Sequence, residues 1–90
     1  MQEKEVRVEN KTGIHARPAA MFVQAAGKFK SKVEVRAKER NKKVDAKSIL
    51  MVMSLGLIKG TDIIISAQGE DEEEAVDTLC QLIKVKFGEE

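Results

Sequence analysis

Apolar residues recur along this chain either at every second residue or about every 3.6 residues. The change from one period to the other limits the possible folds more than any other feature. Alternation predicts strands at "KEVRVEN", "KVEVRA", "KKVDA" and "TDIIISAQ", with the second and third paired as a hairpin across Lys38–Asn41. Helical spacing predicts amphipathic helices from Pro18 to Phe29 and over "DEEEAVDTLCQLIKVKFG", with a short helix after Ser48. The order βαββαβα indicates an α+β fold, in which two long helices and one short helix cover one face of a four-stranded antiparallel sheet.

The ends of the third helix and the exposed side of the sheet are also predicted from local signals. Asp71 and Glu74 have the spacing of a capping box at the start of that helix. Lys84 and Lys86 are expected in its last turn, where they complement the helix dipole, and Gly88 is expected to end it. Charged residues alternate with the valines of the strands, so the other face of the sheet is expected to be open to water.

Length and composition exclude several classes of protein. A chain of 90 residues is long enough for one domain, which we expect over 1–90. The longest apolar run, Ile49 to Ile58, is too short to cross a bilayer. The amino-terminal residues lack the layout of a signal peptide, and the one cysteine, Cys80, cannot form an internal disulfide and is expected to pack in the core. These features predict a cytoplasmic protein with no segment inserted in a membrane.

Charge and motif content narrow the possible ligands. A zinc site needs three or four ligands, and one histidine with one distant cysteine does not provide them, so no metal or cofactor is expected. Residues 1–45 carry 12 Lys and Arg against 6 Asp and Glu, whereas residues 46–90 carry 4 against 9. The basic half favours acidic or phosphorylated partners. Nucleic acid is not an expected partner, because there is no Trp or Tyr and the basic run "RAKERNKK" has no aromatic residue to stack on bases.

The only histidine and the only proline lie within four residues, in the stretch "TGIHARPAA". Gly13 allows the backbone to turn just before His15, and His15 stands directly ahead of a predicted helix N-terminus. Because Pro18 has no N–H, the backbone N–H groups of Ala16 and Arg17 are the nearest free donors for an anion. The Arg17 side chain adds a fixed positive charge. The stretch therefore predicts an anion site with an imidazole at its edge.

An imidazole in such a site can accept a phosphoryl group. The helix dipole and Arg17 both favour the neutral ring, which is the nucleophilic form, and both would stabilise a dianionic phosphate on it. No nearby residue is suited to complete a hydrolysis. We therefore predict that His15 accepts a phosphoryl group and passes it on, so that the protein is a phosphoryl carrier and not an enzyme in the usual sense.

The motifs "GIHARPA", "KSIL", "VMSLG" and "GEDEEEA" together resemble the histidine-containing phosphocarrier family, HPr, of the bacterial sugar phosphotransferase system. The resemblance covers nearly the whole chain and implies an open-faced β-sandwich. It implies that His15 receives a phosphoryl group on Nδ1 from enzyme I, which is charged by phosphoenolpyruvate, and donates it to the A domains of enzyme II permeases. It also implies that Arg17 assists the transfer and that the protein acts as a monomer.

Ser48 has a structural and a regulatory interpretation. As an N-cap of the short helix it would contribute about 1 kcal/mol. The resemblance adds phosphorylation of this serine by an ATP-dependent HPr kinase/phosphorylase, which produces a corepressor for the catabolite control regulator. It also places the surface shared by all partners next to His15; the residues predicted to form it are Ala20, Ile49, Leu50 and Met53.

Two departures from the family pattern and three alternative functions stay open. Met51 stands where Gram-positive members commonly have Gly, and the hairpin "RAKERNKKV" is about two residues longer than usual and lacks a Gly. The first alternative is a purely regulatory protein of the same fold that acts through Ser48; relatives of that kind lack the active histidine. The second is a nitrogen-branch phosphocarrier with the same chemistry and other targets. The third is an RNA-binding module.

Overall fold

Four strands form one antiparallel sheet in the computed structural model, which describes residues 1–88. The strands are β1 (Gln2–Arg7), β2 (Lys32–Ala37), β3 (Val44–Asp45) and β4 (Asp62–Gln68). Their order in the sheet is β1-β4-β2-β3, so the last strand of the chain lies between the first two. Val6 is opposite Ile63, and Val35 is opposite Ile65 on the other side of β4. The prediction of a four-stranded antiparallel sheet is confirmed.

Three helices, α1 (Ala16–Gly27), α2 (Ile49–Ser54) and α3 (Glu72–Lys84), complete the fold. Their apolar sides and alternate residues of every strand form one core, as the two spacings in the sequence predict. Phe22 of α1 and Leu79 of α3 are fully buried in it, and Cys80 packs there too. Burial raises the pKa of the Cys80 thiol, so the thiol stays protonated at neutral pH.

The face of the sheet opposite the helices carries ion pairs. Arg7 donates two hydrogen bonds to the carboxylate of Asp62, at 2.8 and 3.2 Å. This contact holds the pKa of Asp62 below its usual value. Lys38 lies 3.1 Å from a carboxylate oxygen of Glu5. Because these residues alternate with buried ones such as Val6, the predicted polar face of an open-faced sandwich is confirmed.

The predicted capping box at the start of α3 is wrong. Asp71 is the N-cap residue, but its carboxylate makes no cap hydrogen bond. It accepts hydrogen bonds instead from the backbone N–H groups of Lys30 and Ser31, both at 2.9 Å, and from the Ser31 hydroxyl. Those contacts lower the pKa of Asp71 to about 2, and the hydrogen bond from the Ser31 hydroxyl has the largest effect. Glu72 rather than Glu74 reaches back to the preceding loop, where it accepts from the N–H of Gly69 at 3.1 Å.

The end of α3 and the β2–β3 loop also differ from prediction. The helix ends at Lys84, and Lys86 belongs to a separate turn, Lys86–Gly88. Lys86 and Phe87 have φ angles of 57° and 56°, which bulky residues rarely adopt. This turn places Phe87 in the core, and that burial offsets the strained backbone. The hairpin is formed, but its loop runs over residues 38–43 because β3 contains only two residues.

Candidate functional site

The backbone ahead of His15 is held closely against the segment that leads into β4. The N–H of Ile14 donates to the carbonyl of Leu57 at 2.8 Å. Gly13 has a φ of +68°, and a Cβ added to it would lie 2.4 Å from that same carbonyl oxygen and 2.9 Å from the Cα of Ile58. Both the backbone angle and the close approach therefore require glycine at this position.

Asn10, which is not among the residues predicted from the sequence, supports the same turn. It is fully buried, and its side-chain amide donates to the carbonyl of Gly13 at 2.6 Å. The N–H of Gly13 donates back to the carbonyl of Asn10 at 3.0 Å. An Asn three residues before a Gly is favoured in a type I turn, and this spacing is the signal that the sequence offers for it. The turn fixes the point from which the helix carrying the site begins.

His15 is the N-cap residue of α1, directly ahead of the helix as predicted. Its backbone is extended, and its carbonyl accepts the first helical hydrogen bond, from the N–H of Ala19 at 2.6 Å. The imidazole makes no capping hydrogen bond and is exposed. The ring therefore lies at a helix N-terminus but does not accept a hydrogen bond from the helix N–H groups.

The first residues of α1 supply the donors around the imidazole. The helix begins at Ala16, directly after His15, so Ala16, Arg17 and Pro18 form its first turn. The first N–H groups of a helix have no carbonyl one turn earlier to bond, and Pro18 has no N–H. The donors left for an anion are those of Ala16 and Arg17, and both residues are exposed. The geometry is that of an anion site at a helix N-terminus with an exposed imidazole at its edge.

Ser48 is the N-cap residue of α2, as predicted. Its hydroxyl oxygen accepts from the N–H of Met51 at 3.4 Å, a long hydrogen bond. The preceding residue, Lys47, donates from its ammonium group to the carbonyl of Phe29 at 2.8 Å, just beyond the end of α1. Ser48 is partly buried, and its hydroxyl is held at the start of a helix that itself has little buried surface.

The apolar side chains of α2 divide between the core and solvent. Val52 is fully buried, and Leu55, directly after the helix, is almost fully buried. Leu50 is 78% exposed, and Ile58 beyond the helix is 69% exposed. Of the predicted docking residues, Ala20 on α1 is half-buried and the others are exposed. We call the exposed apolar residues of this helix the α2 patch: Ile49, Leu50, Met51 and Met53.

His15 and Ser48 lie at opposite ends of α2. The turn ahead of His15 contacts Leu57 and Ile58, which follow α2, whereas Lys47, which precedes α2, contacts Phe29 at the far end of α1. The helices α1 and α2 pack against each other, with the start of each near the end of the other. They are therefore antiparallel. With a rise of about 1.5 Å per residue, α2 is roughly 9 Å long, so the two positions are separated by at least about that length, and the α2 patch lies between them.

Among residues 1–88, no cluster of three or more His, Cys, Asp and Glu side chains could hold a metal ion. In the same part of the chain, no helix is long and apolar enough to span a membrane.

Comparison with known proteins assigns this arrangement to a family. The family model described as the HPr component phosphorylation site of the phosphotransferase system matches residues 2–85. The chain belongs to the HPr family. HPr proteins are phosphocarriers and not conventional enzymes, and their family includes proteins of catabolite repression.

Individual HPr relatives resemble the chain over almost all of its length. The crystal structure of an HPr from Thermoanaerobacter tengcongensis is 54% identical and superimposes with a TM-score of 0.94, covering 100% of this chain and 99% of that one. The phosphocarrier protein HPr of Bacillus anthracis is 40% identical, with a TM-score of 0.85 over 91% of this chain and 95% of that one. The HPr-like protein Crh of Bacillus subtilis is 46% identical over 93% of this chain and 96% of its own. The crystal structure of Crh is described as a dimer with a swapped domain.

Proposed function

We propose that this protein carries a phosphoryl group on Nδ1 of His15, which it receives from phosphorylated enzyme I and donates to enzyme II A domains during phosphoenolpyruvate-dependent sugar uptake. The observation that supports this proposal is the exposed imidazole at the N-cap of α1, which makes no capping bond. An N-cap side chain normally accepts a helix N–H, so an imidazole left outside that role is available to a substrate.

The residues around His15 have distinct tasks in the transfer. The neutral imidazole nitrogen attacks phosphorus, and the new N–P bond forms as the bond from phosphorus to the donor's leaving group breaks. The N–H groups of Ala16 and Arg17 and the Arg17 guanidinium stabilise the phosphoryl oxygens as their charge is redistributed. No side chain in the turn activates water, so the phosphoryl group remains on His15 until an acceptor arrives.

We propose that partners dock on the α2 patch and on Ala20 of α1. The four side chains of the α2 patch are exposed in one short helix, and methionine adapts to surfaces of different shape. A patch of this kind suits a protein that must bind a donor and several acceptors in turn. We expect it to do so in the cytoplasm as a monomer, an expectation that sedimentation can test because the related Crh is a dimer.

We further propose that Ser48 is a regulatory phosphorylation site for HPr kinase/phosphorylase, and that the phosphorylated form binds the catabolite control regulator. Its hydroxyl makes only a 3.4 Å cap bond, so modification would sacrifice little stability. A phosphate there would lie at the N-terminus of α2, where the helix dipole favours negative charge. It would also lie beside the α2 patch and would therefore change how partners dock.

A purely regulatory protein is the second candidate, because the relative Crh is 46% identical. Phosphorylation of His15 distinguishes the two functions. Enzyme I and phosphoenolpyruvate should add one phosphate to the wild type, seen by intact mass, and none to His15→Ala. The adduct should be labile in acid and stable in alkali, as expected of a phosphoramidate. An acid-stable adduct, or normal labelling of His15→Ala, would exclude the carrier function on this residue.

A further inference from the structure

The fold separates the charges of this protein into two ends. The basic loop 38–43 and Lys59 lie at the end of the sheet where β4 begins, because Ala37 pairs with Ile63. The acidic segment 70–77 follows the opposite end of β4. A strand of seven residues spans about 20 Å, so the two groups are far apart. The turn ahead of His15 contacts Leu57 and Ile58 and thus belongs to the basic end.

A cleft of about 520 Å³ lies at this basic end, between the loop 38–43 and the segment 56–61. Arg40 and Lys59 line it from opposite sides, and Ile58 contributes an apolar surface. Two carboxylates also line it. That of Asp62 is paired with Arg7 and contributes little negative charge, while that of Glu39 is exposed.

The shape of the cleft is maintained by the backbone of its two loops. Arg36 donates to the carbonyls of Lys38 and Arg40, at 3.0 and 3.4 Å, and so holds the loop 38–43 in place. On the other side, the N–H of Gly60 donates to the carbonyl of Val8 at 2.7 Å. None of these contacts involves the side chain of Arg40 or Lys59, the two cations that line the cleft.

Ile58 connects the cleft to the phosphoryl site. Its Cα is 2.9 Å from the point that a Cβ on Gly13 would occupy, so it lies beside the turn that carries His15. It is also 69% exposed, which is unusual for isoleucine in a folded domain. A protein that docks on the α2 patch and reaches His15 therefore also lies close to Ile58, which lines the cleft.

We propose that this cleft is a second docking surface, which receives an acidic loop of the protein that donates the phosphoryl group to His15. Carboxylates of that loop pair with Arg40 and Lys59, and an aliphatic side chain covers Ile58. The proposal rests on the proposed function, since the donor must already be bound at His15 to reach the cleft. The basic end also attracts a donor that carries a dianionic phosphate.

The chemistry of the cleft favours a protein over other anionic partners. No aromatic side chain lines it, so single-stranded nucleic acid would find nothing on which to stack its bases. The exposed Glu39 repels a uniformly negative surface such as an anionic bilayer, whereas a protein of mixed charge can offer it a cation. A concave surface with one apolar side chain suits a protruding loop.

The test compares two double variants that remove the same charge. Arg40→Gln with Lys59→Gln removes the cations of the cleft, and Lys30→Gln with Lys32→Gln removes two exposed lysines at the acidic end. The second-order rate of His15 phosphorylation by phosphorylated enzyme I is measured by stopped flow across a range of salt concentrations. We expect the cleft variant to react about three- to tenfold more slowly at low salt, with the difference fading at high salt, and the control to change by less than about twofold.

Ile58→Thr tests the apolar contact separately. It should reduce the rate by about two- to fivefold at every salt concentration, because the loss of an apolar contact is not screened. Equal effects of the two double variants on the rate, or no effect of either, would overturn the proposal. It would also be overturned if the wild type cosedimented with phosphatidylglycerol vesicles and the cleft variant did not. If the wild type is not phosphorylated at all, the proposed function itself is wrong. All variants should keep the unfolding midpoint of the wild type, since the substituted residues are exposed.

Discussion

Replacement of Gly13 by alanine tests how the position of His15 is maintained. The new Cβ would lie 2.4 Å from the carbonyl oxygen of Leu57 and 2.9 Å from the Cα of Ile58. Both neighbours are backbone atoms, so no side chain can rotate away to make room. The turn must move, and this movement breaks the bond from Ile14 to Leu57 or the bond from Asn10 to Gly13.

The expected cost has two parts. A non-glycine residue at a φ of +68° costs about 1–2 kcal/mol. Loss of one or two hydrogen bonds in a buried turn adds about 1–2 kcal/mol. We therefore expect Gly13→Ala to lower the free energy of unfolding by about 2–4 kcal/mol, which is a large part of the stability of a small domain.

Two other glycines provide matched controls. Gly56 has a φ of +59° but open space around its Cα, so Gly56→Ala should show only the conformational cost of about 1–2 kcal/mol. Gly27 is the last residue of α1, has ordinary backbone angles and also faces open space. Because alanine favours the helix, Gly27→Ala should stabilise the protein by up to about 1 kcal/mol.

Urea unfolding of the three variants measures these differences, provided that the dependence on denaturant is unchanged. Phosphorylation of His15 by enzyme I, measured where all variants are folded, should slow by at least about tenfold in Gly13→Ala, because a displacement of about 1 Å at a reacting group is costly. Gly27→Ala should react normally. If Gly13→Ala and Gly56→Ala destabilise the protein equally, within about 0.5 kcal/mol, the close approach to Leu57 does not hold the turn.

Three further predictions concern the site and its support. Arg17→Ala should change the free energy of unfolding by less than about 0.5 kcal/mol, because the residue is exposed. It should slow transfer to His15 at least about tenfold, equivalent to about 1.4 kcal/mol. Unchanged stopped-flow kinetics would refute its role. Ser48→Asp places one negative charge at the end of α2 away from His15. Across about 10–15 Å of water its repulsion of a dianionic phosphate at His15 is about 0.5–0.8 kcal/mol, so phosphorylation at low salt should slow about two- to fourfold. If Ser48→Ala slows it as much, the effect is only loss of the cap. The pKa of Asp71 is lowered from 3.8 to about 2 by the Ser31 hydroxyl and the neighbouring N–H groups, so its contribution to stability is complete above pH 3.8 and is lost as the pH falls towards about 2. Asp71→Asn should therefore show a smaller fall in thermal midpoint across that interval, and an identical fall would contradict the assignment.

The sequence by itself was sufficient to predict the elements of this protein and the local setting of its two candidate phosphorylation sites. Strands and helices follow from spacing that is read within one segment, and Val35, Ile65 and Leu79 are buried as that spacing requires. His15 and Ser48 are N-cap residues because a helix start depends on a few adjacent residues. The chemistry expected of His15 rests on the same short stretch.

Tertiary structure decided which distant groups meet. The insertion of β4 between β1 and β2 brings Leu57 to the turn ahead of His15 and separates the basic and acidic ends, and no local pattern specifies strand order. Asp71 is another case. Its spacing predicted a helix cap, but its carboxylate instead accepts three hydrogen bonds from the loop ahead of β2, which is about 40 residues away in the chain. Ile58 stays exposed at the end of an apolar run in which Val52, Leu55 and Leu57 are all buried. Packing is a property of surfaces that meet only in the folded chain, so burial of these residues and the cleft beside His15 could not be predicted from spacing alone.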